Sequence, residues 1–334
     1  MLYPTVLQDC YPLTDSENIH YSGLEIDRAS ELRKDPGWLE DQWNRPDCRI
    51  LLLRNDANLM SWQVAQEKSP VSINHSRDEV EGLLEQVTSK VFLGLEDGVP
   101  LFALDVSDCD ETVMQPILAD NEFFDLRQAG WLLSSQEASL LAYARGLLYW
   151  HRHSRFCGTC GSPTEIKQGG HMQLCSNHSC ARMTFPRTDP AVIMLVEHWP
   201  ASGPPICLLG RNARFAARMM STLAGFVDPL ENLEETVRRE VFEECGIEVD
   251  RVTYQASQPW PFPSSIMLGF RARAVTTDIR VDGIEIEEAG WFSADELRDF
   301  GEWGDEGEGY CLPRRDSIAR FLVESWITDT KGRS

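Results

Sequence analysis

Short apolar runs bounded by polar, turn-rich segments mark the first part of the chain: RILLLR (49–54), VFLGLE (91–96) and PLFALDV (100–106) have the length and aliphatic content of strands. They predict a small mixed domain. The pattern changes near Trp131. In SSQEASLLAYARGLLYWHRH, Ser134 and Glu137 fit a capping box, and Leu140, Ala144, Leu147 and Leu148 recur at helical spacing, which predicts a helix over about 135–152. Strand-like runs return as AVIMLVE (191–197), ICLLGR (206–211), VTYQASQ (252–258) and IMLGFRARAV (266–275). Helix signals follow at SADEL, where Ser293 and Glu296 fit a second capping box, and at DSIARFLVESW. Strands alternating with a few helices predict a mixed α/β or α+β domain from about residue 187 onward.

Within that domain lies GFVDPLENLEETVRREVFEECGI (225–247), which carries seven carboxylates. Asn232 and Glu235 fit a capping box and Gly246 is placed to end a helix in a left-handed conformation, so a helix is predicted between them. Glu234 with Arg238, and Glu235 with Arg239, are spaced i,i+4 in the favourable order, and Arg239 also reaches Glu243. Glu240 and Glu244 differ: nothing basic lies three or four positions from either inside the helix, and they are i,i+4 from each other. At roughly 100° per residue both project close to Leu233 and Val237, at the edge of the buried stripe. Partly desolvated, unpaired carboxylates are costly. A hard divalent cation such as Mg²⁺ or Mn²⁺ removes that cost, because such ions prefer oxygen ligands. The plainer alternative is a solvated acidic helix face.

Cys157-x2-Cys160, fourteen residues, then Cys175-x4-Cys180 reads as the two knuckles of a zinc ribbon, with the glycines of CGTCG serving tight turns. Four thiolates suit a tetrahedral, structural Zn²⁺ with no open position. His178, at the x2 spacing from Cys175, competes with Cys180 for the fourth place; Cys180 is the expected ligand. Residues 151–187 hold five Lys or Arg and one acidic residue, a locally basic module that either touches RNA or phosphate or is merely solvated.

Composition narrows the functional classes. The formal net charge of −22 argues against broad electrostatic binding to nucleic acid except at a local basic patch, and metal ions would have to mediate any anionic substrate. No apolar run approaches the roughly 18–20 residues of a membrane span, and MLYPTVLQDCYPLTDSEN lacks a basic segment followed by a long apolar core, so a cytoplasmic protein with no membrane partner is expected. Ten cysteines among 334 residues are too sparse for a disulfide scaffold.

Gly225, five residues, Glu231, seven residues, Arg239-Glu240-Val241, one residue, Glu243-Glu244, one residue and Gly246-Ile247 make up a complete Nudix box, and on it the chain resembles the Nudix hydrolases. The resemblance implies that Glu240, Glu243 and Glu244 hold divalent metal on a diphosphate, that Glu231 and Arg239 brace the loop, and that the reaction hydrolyses a nucleoside diphosphate linked to another moiety. Leu230 departs from the pattern: the family usually has glycine there, and a positive φ would be awkward for leucine.

A second stretch is SQPWPFPSS (257–265), whose prolines at 259, 261 and 263 remove three backbone donors and exclude a central strand. Its Trp260 and Phe262 either pack on the core or stack on a planar ring. Together with the ribbon and FPRTDPAVIM, this stretch is similar to the NADH pyrophosphatase branch of the superfamily, whose members also remove NAD caps from RNA. The likeness runs from about residue 130 onward and is only architectural upstream.

That branch implies an α+β fold, the α/β/α Nudix sandwich, organised as an N-terminal Nudix-like domain without the box (1–130), a connecting helix (131–154), an inserted zinc ribbon (155–186) and a catalytic domain (187–334). It implies hydrolysis of NAD(H) to NMN(H) and AMP with Mg²⁺ or Mn²⁺, by a homodimer, and removal of NAD caps from RNA. Phe226 and Phe185 become ring-stacking residues, Phe185 serving the partner subunit's site; Trp260 and Phe262 join the binding set; Ser265 and Met267 line the nicotinamide side; and Ala319 contacts substrate. Glu285 becomes a further carboxylate that binds metal or assists the water, against the plainer reading of an exposed loop glutamate. The rivals are hydrolysis of ADP-ribose or a dinucleoside polyphosphate, and a catalytically retired binding module.

Overall fold

Central strands that are apolar at every position must be covered on both faces, and the protein meets this requirement twice. A computed structural model describes residues 19–62, 70–118, 121–214, 216, 218–305 and 307–331. The described residues form two compact units, an N-terminal one within 20–189 with 259–265, and a C-terminal one of Ile19 with residues within 190–258 and 266–331.

In the N-terminal unit, β1 (Arg49–Arg54), β2 (Ala57–Trp62), β3 (Pro70–Ser72), β4 (Ser89–Glu96), β5 (Val99–Asp105) and β6 (Glu122–Asp125) form one sheet in the order β3-β2-β1-β5-β4, with β6 also on β2. The β1–β5 pair is parallel, and the other pairs are antiparallel. Period-two alternation sends Ile50 and Leu52 into a core with Trp43 and Met114, and Leu51 and Leu53 into one with Leu140, Ala144 and Leu148 of the long helix Ser135–His153. Ser134 caps that helix by accepting from the Glu137 amide. The expected capping box is only half made, because the Glu137 carboxylate accepts instead from the Ser72 amide at 2.6 Å, tying the helix start to β3.

The cysteine module is a small antiparallel sheet of β7 (Thr164–Lys167), β8 (Met172–Cys175) and β9 (Met183–Thr184). Gly170 has φ +96°, and a Cβ there would come within 2.5 Å of the Val91 side chain. Only glycine permits this approach, which lets the Gly170 carbonyl meet His151 Nε2 of the long helix at 2.7 Å.

In the C-terminal unit, β10 (Asp189–His198), β11 (Ile206–Asn212), β12 (Leu223–Phe226), β13 (Val249–Trp260), β14 (Ser265–Ala274) and β15 (Ile286–Ser293) form a second sheet, ordered β13-β14-β10-β11-β15 with β12 on β10. The box helix Leu233–Cys245 packs Val237, Val241 and Cys245 with Val192, Met194 and Val196 on one face. The helix Ile318–Lys331 packs Ile318, Leu322 and Trp326 with Ile193, Leu195 and Leu209 on the other. Helix, sheet and helix form the expected α/β/α sandwich, and the protein is of α+β class. Pro259 lies near the end of β13, an edge strand, which is where a sheet tolerates proline. Among the described residues no helix is long and apolar enough to cross a membrane.

Candidate active site and metal centres

The box helix begins with a complete capping box: Asn232 Oδ1 accepts from the Glu235 amide and Glu235 Oε2 from the Asn232 amide, each at 2.9 Å. It ends at Gly246, φ +69°, whose amide donates to the Phe242 carbonyl. Burial of Val237 and Val241, each worth about 1.5–3 kcal/mol, fixes its rotation, and their neighbours Glu240 and Glu244 are carried inward with them, to 8% and 5% exposure.

Glu240 fits because β12 presents Gly225 beneath it. A Cβ on Gly225 would lie 1.9 Å from the Glu240 carboxyl carbon, so any larger residue would evict the carboxylate. Burial pushes the Glu240 carboxyl up, against the opposing pull of Arg239, which donates to it at 2.8 Å. Glu244 has no such partner. Its Oε2 is buried without a hydrogen bond, and its carboxyl is pushed up to about 8 by burial, then by the charges of Glu240, Glu285, Asp282 and Glu243.

Arg239 organises the surrounding loop. Its guanidinium donates to both oxygens of Glu231, to Glu240, to Glu243 at 3.0 Å and to the Phe226 carbonyl at 3.0 Å. Glu231 also accepts from Thr236 Oγ1 and the Asp228 amide, and its contact with Arg239 holds its carboxyl down to about 2. Three expectations are corrected here. Glu235 does not pair with Arg239, since its carboxylate is committed to the helix cap, and Arg238 donates to the Glu234 and Asp250 carbonyls instead of the Glu234 carboxylate. Nor is Glu240 without a cationic neighbour, because Arg239, adjacent in sequence, curls back to it. Thr236, fully buried in the first turn of the helix, carries no signal of this role in the sequence; its hydroxyl also bonds back to the Asn232 carbonyl.

Leu230 takes φ +75° and stands fully in solvent, so the loop keeps the shape a glycine would allow. Phe226 is 60% exposed at the end of β12. Glu285 is exposed on the loop before β15, and its charge reaches both Glu240 and Glu244. Met267 packs partly buried and Ala319 fully buried in the core beneath the helix Ile318–Lys331. Phe185, Trp260, Phe262 and Ser265 belong to the N-terminal unit. There Trp260 and Phe262 pack edge-on to Tyr21, with ring centroids 6.1 and 5.8 Å away, and the Arg145 guanidinium lies over Phe262. Phe185 is half exposed and Ser265 is buried.

The oxygen-only donors around the orphaned Glu244 atom fit a hard divalent cation. The thiols fit a different metal. Cys157, Cys160, Cys175 and Cys180 bring their sulfurs within 4.8 Å of one another, with 160–175 at 3.4 Å and 157–180 at 3.8 Å. Tetrahedral zinc with bonds of about 2.3 Å requires sulfurs about 3.8 Å apart. His178 is exposed and stands outside this group. Among the described residues, no other set of potential ligands is gathered as tightly.

Three family models match in tandem. A NADH pyrophosphatase-like rudimentary NUDIX domain covers 49–150, a NADH pyrophosphatase zinc ribbon domain 152–185 and a NUDIX domain 188–311. Among curated proteins, NAD-capped RNA hydrolase NUDT12 of Homo sapiens is 33% identical over 342 residues, spanning 92% of this chain and 73% of its own. NAD-capped RNA hydrolase NudC of Stutzerimonas stutzeri is 36% identical over 257 residues, spanning 77% and 84%. Nudix hydrolase 19, chloroplastic, of Arabidopsis thaliana is 43% identical over 223 residues, spanning 63% and 50%. With three family models matched in tandem and relatives this similar over most of its length, the chain belongs to the NADH pyrophosphatase and NAD-capped RNA hydrolase branch of the Nudix hydrolase family.

Proposed function

We propose that the protein hydrolyses the pyrophosphate bond of NAD(H), giving AMP and NMN(H), and removes NAD caps from RNA by cleaving the same bond. The observation that carries this reading is the buried Glu244 carboxylate, with one oxygen unpartnered, beside Glu240 over the open face of Gly225. Glu240, Glu243, Glu244 and Glu285 would hold Mg²⁺ or Mn²⁺. A cation bound there neutralises phosphate oxygens, activates water and stabilises the leaving phosphate.

The remaining work falls to the chain. Arg239 holds the Glu240 and Glu243 carboxylates in place while Glu231 and Thr236 hold Arg239 and the loop. Phe226 offers an exposed ring at the rim on which a base or nicotinamide can stack. Residues 151–187, the ribbon with its flanks, hold five basic residues against one acidic, the stretch best suited to meet an RNA 5′ end on a chain of net charge −22. Zn²⁺ at the four thiols would be structural, and Phe185, half exposed, is the residue available to a partner subunit in a homodimer. In this reading the names of the human and Stutzerimonas relatives favour NAD-linked substrates over ADP-ribose and dinucleoside polyphosphates.

The test is chromatography of products after incubation with Mg²⁺ or Mn²⁺ and, separately, NADH, NAD⁺, ADP-ribose and an NAD-capped RNA. AMP and NMNH from NADH, with kcat/KM above that for ADP-ribose, are expected. Turnover of ADP-ribose alone would replace the substrate assignment, and no turnover of any of the four by folded, zinc-loaded protein would favour a binding module.

A further inference from the structure

Glu285 lies in a loop, where nothing in its own side chain accounts for its placement. The loop itself is stapled at two levels. Its backbone is laid along the end of the box helix: the Arg280 amide donates to the Cys245 carbonyl at 2.8 Å and the Asp282 amide to the Glu244 carbonyl at 3.3 Å. The turn that follows is then closed by one side chain. Asp282 Oδ2 accepts from the Glu285 amide and Oδ1 from the Ile286 amide, both at 2.9 Å. Gly283, at φ +69° with open space around it, supplies the left-handed step, and its amide donates to the Ile286 carbonyl at 3.2 Å. Ile286 is 4% exposed in the core shared with Val237 and Val241, so the turn is anchored on its far side to the same helix face that carries the glutamates.

We infer that Asp282 is a positioning residue: its two-pronged grip on the Glu285 and Ile286 amides sets the Glu285 carboxylate toward Glu240 and Glu244 and so completes the carboxylate set that receives the cation. The inference rests on the proposed role of Glu285. A carboxylate is needed at 282 because two backbone donors must be met by two acceptors. Asparagine offers one oxygen and turns an NH₂ group toward the second amide, and alanine offers neither. Supporting partners that hold a ligating group are typically worth about 10–100-fold in metal affinity or activity.

The experiment compares wild type, Asp282→Ala, Asp282→Asn, Glu285→Gln and the double variant Asp282→Ala/Glu285→Gln. Two readouts are used: Mn²⁺ binding to the metal-free box of the zinc-loaded protein, and steady-state hydrolysis of NADH. Asp282→Ala is expected to weaken Mn²⁺ about tenfold and lower kcat by a similar factor with KM for NADH little changed, and Asp282→Asn to fall between it and wild type. In the double variant the loss at 282 should shrink to what the Asp282 charge itself contributes beside Glu244, because there is no Glu285 carboxylate left to position. Equal Mn²⁺ affinity in wild type and Asp282→Ala, or full additivity in the double variant with unchanged melting temperatures, would overturn the assignment. A wild type that binds Mn²⁺ but leaves NADH intact would sink the substrate reading, while a non-additive loss of Mn²⁺ affinity would still uphold the role of Asp282.

Discussion

Leu230 sits against its own conformational preference, at φ +75° with its side chain wholly in water. The conformation costs leucine about 1–2 kcal/mol, and nothing is packed against the side chain to offset it. Leu230→Gly removes that cost but gives back about 0.4–1 kcal/mol through the looser unfolded chain, so a gain of a few tenths to one kcal/mol is expected. Urea unfolding reads this directly: the midpoint should rise with m unchanged, and a fall would mean that the leucine makes a contribution its exposure does not reveal. Awkward placement was legible at this position, because a leucine stands where the resemblance to the Nudix hydrolases implies glycine. The partners of Arg239 were not. Helical spacing pairs it with Glu235, but Glu235 is taken by the helix cap, and Arg239 turns to Glu231, which a loop brings back from eight positions upstream. Periodicity describes neighbours along one helix and is blind to a loop that folds over it.

At the scale of elements, long apolar runs announced themselves and short or polar ones did not. β1 is the RILLLR run itself, and β10 and β14 lie within a residue or two of their predicted bounds. β12 is four residues, LAGF, and β15 reads IEEAGWFS, with two adjacent glutamates; each is a strand because β10 or β11 offers it a ladder, a tertiary cause that no local pattern encodes. The ribbon was legible for the opposite reason, since thiolate chemistry fixes spacing more tightly than packing does. The ambiguous fourth ligand is resolved by geometry: the Ser179 amide donates to Asn177 Oδ1 and the Cys180 amide to the Asn177 carbonyl, turns that swing Cys180 inward and leave His178 outside. Cys180→Ser is therefore expected to lose the bound zinc and the module's thermal transition, and His178→Ala to keep both. Metal analysis per chain settles it, and retention of one zinc by Cys180→Ser would remove that residue from the site.

For the molecule as a whole, the two sheets share a layered plan but not a chemistry. Both are covered by helices on two faces, and only the C-terminal one carries the box, in keeping with the rudimentary NUDIX match upstream. That division was visible in the sequence, because the box is a spacing of charged residues found once in 334 positions. The buried cost of the acidic chain was visible for Glu244, which lies among like charges with one oxygen unpartnered, a state that a bound cation relieves; what was not visible is that Arg239 takes up Glu240. The central claim is that the Glu244 carboxylate holds the divalent metal on which hydrolysis depends. The most direct measurement is the rate of AMP release from NADH at saturating Mg²⁺ by wild type and by Glu244→Gln, with folding of the variant checked by its melting temperature. A loss of at least about a hundredfold in a folded variant is the predicted result; equal rates would contradict the account.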